Sequence, residues 1–349
     1  MSWRREAFET LVRSVRAFAP NAEILPDAPN KIFVLRNNDI GDLLVITPLF
    51  EALKRRFPKA EILVGVGSWN RGVLAENPHV SKILEVNAPW HNKFIQSQGI
   101  IAGLRYVYLS DEARELRKES AEIGIDVLGS GFGSLLLMRA GIAYRLGVRG
   151  YSGGNSAVQG LVEHCGQEHV GRQALRFAEL LGCTDLPENR PQIFLGRTPA
   201  LNRSVVIAPG AGLPGKGWPG DYFVQLGEML TKETIVVIGS EKDRVLGAQI
   251  CEKNPRSENN AGKLTLRESF SLIGGAKLVI CNSSMAMHAA AAFRRPAVVV
   301  LGEQFSSASQ HWRQWGYPET TVLGRDEGHP GVFNPEEVSA EIQKILPQL

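Results

Sequence analysis

"KIFVLRNNDIGDLLVITPLFEALKRRFP" (residues 31–58) decides the fold. An apolar run, "KIFVL", ends in a polar turn holding Asn37, Asn38, Asp39, Gly41 and Asp42, and an apolar-periodic helix follows over 42–56. A strand that is apolar throughout, turned directly into a helix, is the opening of a parallel α/β unit buried on both faces. Two carboxylates and two amides at the end of such a strand have two readings. Asp42 sits where a helix N-cap stands, so capping explains it in isolation. The carboxyl ends of parallel strands are also where open α/β sheets bind ligands. Gly41 permits a tight turn and close approach of another molecule.

Further strands and helices alternate outward from this stretch. Strands are expected at 60–67, 82–86, 122–129 and 144–148, with helices at 109–120 and 132–140. The glycine-rich "RGYSGGNSAVQG" (149–160) reads as part of a mobile loop over 149–170, and a helix over 169–182 follows it. Proline-rich "CTDLPENRPQIFLGRTPALNRS" (183–204) reads as a linker, dividing the chain into domains 1–198 and 199–349. A second series follows: strands at 204–210, 234–240, 277–282 and 296–302, helices at 220–231, 242–253, 266–274 and 285–293, and a capped helix at 334–346 that could return to the first domain. The expected architecture is α/β, with two Rossmann-like doubly wound domains facing a central cleft.

Composition excludes several classes. With 349 residues, one ordinary core is too small to serve the whole chain. A net charge of +3 gives no basis for nucleic-acid binding. The four scattered cysteines form no C-x-x-C pair, which suits a reduced, cytoplasmic protein. No apolar run reaches membrane-spanning length and no signal peptide is evident. Residues 1–20 form a basic amphipathic helix. Phe8, Leu11, Val12, Val15 and Phe18 share one face; Arg4, Arg5, Arg13 and Arg16 fill much of the rest. Such a stripe packs on the protein's own core or lies on an anionic membrane.

Two later stretches also end strands. In "APGAGLPGKGWPGDYF" (208–223), a glycine-rich turn with Gly210 and Lys216 presents amides and a point charge of the kind that holds a diphosphate. It is no Walker motif, and a long turn carrying an exposed lysine is the plain alternative. In "VICNSSMAMHAAAAF" (279–293), Ser283, Ser284 and Met285 open a small-residue helix whose amides could hold phosphate, with His288 in its first turn. A histidine there is commonly a structural hydrogen-bonder.

Together these stretches resemble a known family. "LRNNDIGDLLVITPLFEALKRRFPKAEILVGV" and "ENPHVSKILEV" are similar to the N-terminal part of the lipopolysaccharide heptosyltransferases, glycosyltransferase family 9. "EHVGRQALRFAELLG", "IAPGAGLPGKGWP", "VIGSEKDR" and "NNAGKLTLRESFSLIGGAKLVICNSSMAMHAAAAFRRPAVVVLG" follow in the family's order and spacing. The resemblance implies a GT-B fold and an inverting, metal-independent transfer without cofactor. It implies a heptose-type sugar moving from a nucleotide-sugar donor such as ADP-heptose to a lipopolysaccharide-core glycolipid or related glycan, at the cytoplasmic face of the inner membrane.

By the same resemblance Asp42 is the general base, with Asn38 and Gly41 lining the cleft. Gly210, Lys216, Glu241, Ser283, Ser284, Met285 and His288 face the donor. No Asp-x-Asp metal motif occurs, in keeping with metal-free chemistry.

The chain departs from the family in three places. Ser283-Ser284-Met285 replaces the usual Asp-Thr-Gly, Glu303-Gln304 replaces Pro-Thr, and "GSGFGSLL" (129–136) lacks the family's basic residue. They keep open a transferase with another donor or acceptor, or a non-catalytic nucleotide-binding relative.

Overall fold

The computed structural model describes residues 3–213 and 215–348. Met1, Ser2, the side chains of Arg4 and Arg5, and Pro214 of the glycine-rich turn lie outside the described residues. The chain divides into two compact units, Met1–Asn189 and Arg190–Leu349.

In the first unit, β1 (Lys31–Leu35), β2 (Glu61–Val66), β3 (Lys82–Glu85), β4 (Ile123–Asp126), β5 (Tyr144–Arg149) and β6 (Gly160–Glu163) form one sheet in the order β3-β2-β1-β4-β5-β6. Every ladder is parallel, and Phe33 of β1 lies opposite Leu63 on one side and Gly124 on the other. The strand order reverses between β1 and β4. That switch point opens a crevice at the strands' carboxyl ends, and the Asn37–Asp42 turn begins there.

The expected 42–56 helix is two helices, Ile40–Leu44 and Pro48–Arg56. Pro48 stands at the first turn of the second, where its missing N–H costs nothing but prevents a continuous run. The 149–170 segment is not all loop, because β6 lies within it. Its glycine-rich part is held by Glu9, whose carboxylate accepts from Gly154 N (2.8 Å) and Ser156 N (2.7 Å). A helix at Ile100–Leu109, unanticipated from sequence, precedes the charged helix Asp111–Lys118.

The N-terminal helix Trp3–Arg16 spends its stripe on the protein: Val12 is fully buried, and Phe8 and Val15 pack against the same core. Leu11 and Phe18 of that stripe remain exposed. Just beyond it, the fully buried Arg145 fixes the chain. Its guanidinium donates to the carbonyls of Ala157 (2.7 Å), Pro20 (2.6 Å), Ile142 (2.5 Å) and Ala143 (3.3 Å), and to Asn21 Oδ1 (3.3 Å). Burial pulls its pKa down to about 10, with Arg16 adding like-charge repulsion.

The second unit repeats the plan. Its strands β7 (Val205–Ala208), β8 (Ile235–Val237), β9 (Ser257–Asn259), β10 (Leu278–Cys281), β11 (Ala297–Val300) and β12 (Thr320–Leu323) run β12-β11-β10-β7-β8-β9, all parallel. Counted from its own first strand, this is the order of the first sheet. The last helix, Pro335–Ile345, buries Val338 and Ile342 in this unit's core. Among the described residues, no helix is long and apolar enough to cross a membrane.

Candidate active site

In the first unit the polar turn is built on charge pairing. Arg36 directly follows β1, and its side chain is buried. It donates from Nη2 to Asp42 Oδ1 (3.1 Å) and from Nε to the Asp42 carbonyl (3.2 Å). The other carboxylate oxygen of Asp42 accepts the Asp39 N–H at 3.3 Å; Asp39, not Asp42, stands at the N-cap of Ile40–Leu44, and Asp42 bonds back to it from the third helical position. Two partners therefore fix the half-exposed Asp42 side chain, while part of it stays open to solvent. Asp39 pairs with Lys93 at 3.1 Å.

Asn38 is a brace. Its Nδ2 donates to the His91 carbonyl (2.6 Å), and its own carbonyl accepts from Trp69 Nε1 (2.8 Å) and Asn70 Nδ2 (3.0 Å). These contacts bind the segment around His91 to the turn. Beside it, the buried Nδ2 of Asn37 and Oδ1 of Asn38 have no hydrogen-bond partner. Unpaired buried polar atoms cost roughly 1–3 kcal/mol each. Gly41 belongs to the turn, its carbonyl accepting from Val45 N at 3.0 Å.

Asp126 ends β4 on the other side of the switch point and is 1% exposed. Its carboxylate accepts from Ser130 N (2.7 Å), Ser130 Oγ (3.1 Å) and Leu128 N (3.2 Å). Burial raises its pKa above the usual carboxylate range, against those hydrogen bonds. Gly133 makes room for it, since a Cβ there would stand 2.0 Å from Asp126 Oδ2. His91 meets Ser152 Oγ at 2.8 Å, and desolvation holds its imidazole below the ordinary value.

The second unit's crevice is organised by neutral groups. Asn282 directly follows β10, fully buried, and clasps the loop that follows β7: its Oδ1 accepts from Trp218 N (2.8 Å) and its Nδ2 donates to the Pro209 carbonyl (2.6 Å). The same loop is held to the end of β11, with Gly302 N donating to Lys216 O (3.3 Å) and Gln304 N to Gly215 O (3.1 Å). A Cβ on Gly302 would come within 2.3 Å of the Gly217 carbonyl, so the approach requires glycine. Lys216 stands exposed on this loop.

Ser283 Oγ lies 2.8 Å from Nε2 of His311, which is buried on the helix Ala308–Trp315. Burial pushes the His311 imidazole down to about 4, and the charge of Lys216 acts in the same direction. At neutral pH, then, His311 is uncharged. Ser284 occupies the N-cap of Met285–Ala292 without a side-chain cap bond; its hydroxyl engages the buried Cys281 thiol, which burial pushes up to about 12. Met285 is half-buried in the first turn. His288 is turned into the unit, with Nδ1 2.9 Å from Tyr317 Oη and the Trp315 and Tyr317 rings edge-on at 5.8 Å. Glu241 is exposed and pairs with Arg244 at 3.0 Å. Gly210 faces the Asp243 carboxylate, which a Cβ would approach to 2.8 Å.

The expected donor residues thus fall into three groups. Lys216 and Ser283 gather around Asn282 and His311; Gly210 and Glu241 lie by the Ser240–Arg244 turn; His288 belongs to the packing against Tyr317. Sequence reasoning missed Arg36, Asp126, Asn282 as a clasp, and His311. Arg36 left a signal, as a charge adjoining a five-residue apolar run. His311 left none.

Two doubly wound parallel sheets of six strands in one chain make the GT-B fold. The family profile described as "Glycosyltransferase family 9 (heptosyltransferase)" matches residues 111–333, and the chain belongs to that family. Lipopolysaccharide heptosyltransferase 2 of Escherichia coli K12 is 28% identical over 299 residues, covering 78% of this chain and 82% of that protein. The solved E. coli ADP-heptose lps heptosyltransferase II superposes with a TM-score of 0.71 at 22% identity, covering 91% and 99% of the two chains. A family 9 glycosyl transferase from Veillonella parvula reaches 0.75 at 17% identity, covering 94% and 100%.

Proposed function

We propose that this glycosyltransferase moves a heptose from ADP-heptose to a lipid-anchored lipopolysaccharide core, with inversion and without metal. The relatives' names support the sugar and the acceptor, and the solved relative's name supports the donor. One observation carries the mechanism: a half-exposed carboxylate, Asp42, oriented by a buried arginine at a sheet switch point.

Asp42 takes the proton of the acceptor hydroxyl as its oxygen attacks the anomeric carbon. The new carbon–oxygen bond forms opposite the breaking bond to the diphosphate oxygen, which leaves with the electron pair. Lys216 and the amides at the start of Met285–Ala292 take up the charge on the leaving diphosphate. Arg36 positions Asp42 through two hydrogen bonds, and that fixed geometry carries much of the rate. Transfer measured with ADP-heptose and a core acceptor, in EDTA, tests the proposal. Heptose transfer that needs added divalent metal, or near-normal turnover in Asp42→Asn, would refute the corresponding part.

A second reading, the same chemistry on a different nucleotide sugar, is favoured by Ser283. Where the family usually carries a carboxylate, a hydroxyl is committed to His311. A panel of nucleotide sugars scored by thermal shift separates the two, because stabilisation follows affinity.

A further inference from the structure

We propose that the outward face of the helix Ile100–Leu109, with Phe94 from the segment leading into it, docks on an anionic lipid surface. One side of this helix belongs to the core. Gly103 and Val107 are buried, and Gly103 sits so close to Phe132 that a Cβ would fall 2.4 Å from the ring. The opposite side of a surface helix is ordinarily polar. Here it presents Ile100, Ile101, Tyr108 and Leu109, with Ile101 76% and Leu109 62% exposed, around a single charge, Arg105. Phe94 is 40% exposed, stacked on Trp69 at 4.6 Å, and Lys93 stands beside its ring.

Charge selects the occupant. No aspartate or glutamate occurs from Pro89 to Ser110. The acids that follow are engaged: Asp111 with Arg114, Glu115 with Lys118, and Glu112 with Asn87 and Tyr106. Aliphatic side chains, a tyrosine and the cation Arg105, on a stretch with no acid of its own, are the composition of an interfacial helix on anionic lipid. A second copy suits the face less well, since a two-fold contact would set Arg105 against Arg105. At ten residues the helix is about 15 Å long and cannot span a bilayer. The N-terminal helix, whose stripe is largely spent on the core, is a separate element.

The face continues into the active-site turn. Lys93 pairs with Asp39, and the His91 carbonyl receives Asn38 Nδ2. Docking through 94–109 would therefore set the base-carrying turn close to a lipid-anchored acceptor, a consequence that rests on the proposed function.

The test is co-sedimentation of the full chain with vesicles of phosphatidylcholine, with and without phosphatidylglycerol, in low and high salt. Binding to the anionic vesicles, weakened by salt, is expected. The double variant Ile101→Asp/Leu109→Asp should lose roughly tenfold or more in affinity, and Arg105→Glu several-fold. Phe18→Asp, an exposed apolar residue just past the N-terminal helix, should bind as the parent does. The double variant should still transfer sugar to a deacylated, water-soluble acceptor at the parent's rate, which shows that it is folded. Failure of the parent to bind anionic vesicles would overturn the proposal, as would undiminished binding by the double variant. So would a concentration-dependent dimer, without lipid binding, that the double variant abolishes. Sedimentation uses neither donor nor acceptor, so a wrong assignment of the transfer reaction leaves the vesicle result standing.

Discussion

Both sheets run in one strand order, yet the polar residue at the carboxyl end of β4, or one place beyond that of β10, is used differently. In the first unit this residue is Asp126, an acid spent on the start of its own following helix through Ser130. In the second it is Asn282, a neutral amide spent across the switch point on the loop after β7. The neighbouring first-strand ends differ in step: Asp42 held by buried Arg36 in one unit, a glycine loop carrying exposed Lys216 in the other. A fixed topology therefore supplies two crevices that differ in side-chain charge, and the proposed function assigns the proton to one and the anion to the other. The ionic crevice holds the Asp42 carboxylate by its pairing with Arg36. The neutral one brings a long loop close to a helix mouth without placing carboxylates where phosphate would lie.

The comparison breaks first at Asp42. Asp42→Asn should reduce transfer by about 10²–10⁴-fold, the range for losing a general base, while calorimetry finds donor affinity nearly unchanged. Equal loss of donor binding would move Asp42 out of the acid–base role.

His311 gives the next effect. Its folded pKa of about 4 lies below the ordinary 6.5, so the unfolded chain binds the extra proton between those values. Stability is then fully present above pH 6.5 and is lost as pH falls toward 4, by at most about 3 kcal/mol. Urea unfolding of His311→Gln at pH 7 and pH 4.5 should show a smaller loss on acidification than the parent does.

Asn282→Ala should cost about 2 kcal/mol in stability by orphaning buried backbone groups, and it should weaken donor binding as the loop loosens. Asp126→Asn should destabilise comparably with donor affinity intact. If both variants lose donor binding alike, the contrast between the two strand ends does not hold. The smallest effect belongs to Lys216→Ala, about tenfold in nucleoside diphosphate affinity, or 1.4 kcal/mol; titration with ADP checks it.

What was legible in the sequence follows from burial pattern. β1, β2, β7 and β10 are apolar runs, so both series and the turn at Asp42 could be read directly. β9, with sequence "SEN", carries no hydrophobic signal, and it pairs because β8 offers an open edge. The helix "ASQHWRQW" buries Ala308 and His311, too little for periodicity to reveal. Lys216 and Ser283 could be singled out because glycines and a strand end surround them. Their setting could not, since the clasp by Asn282 and the His311 partner come from 64 and 28 residues away. Arg36 reads on paper as a charge ending a strand. Only packing turns it into a buried partner for Asp42.

Arg145 carries a consequence for how this chain can be cut or joined. A buried cation satisfied by oxygen acceptors, two of them the Pro20 carbonyl and Asn21 Oδ1, ties that exposed connecting segment to the first unit. Clipping the chain between Arg16 and Ala22, or splicing a fusion partner there, would strand a desolvated guanidinium far from any new anion. Such products should express poorly and open readily to protease, whereas additions ahead of Trp3 leave these contacts in place.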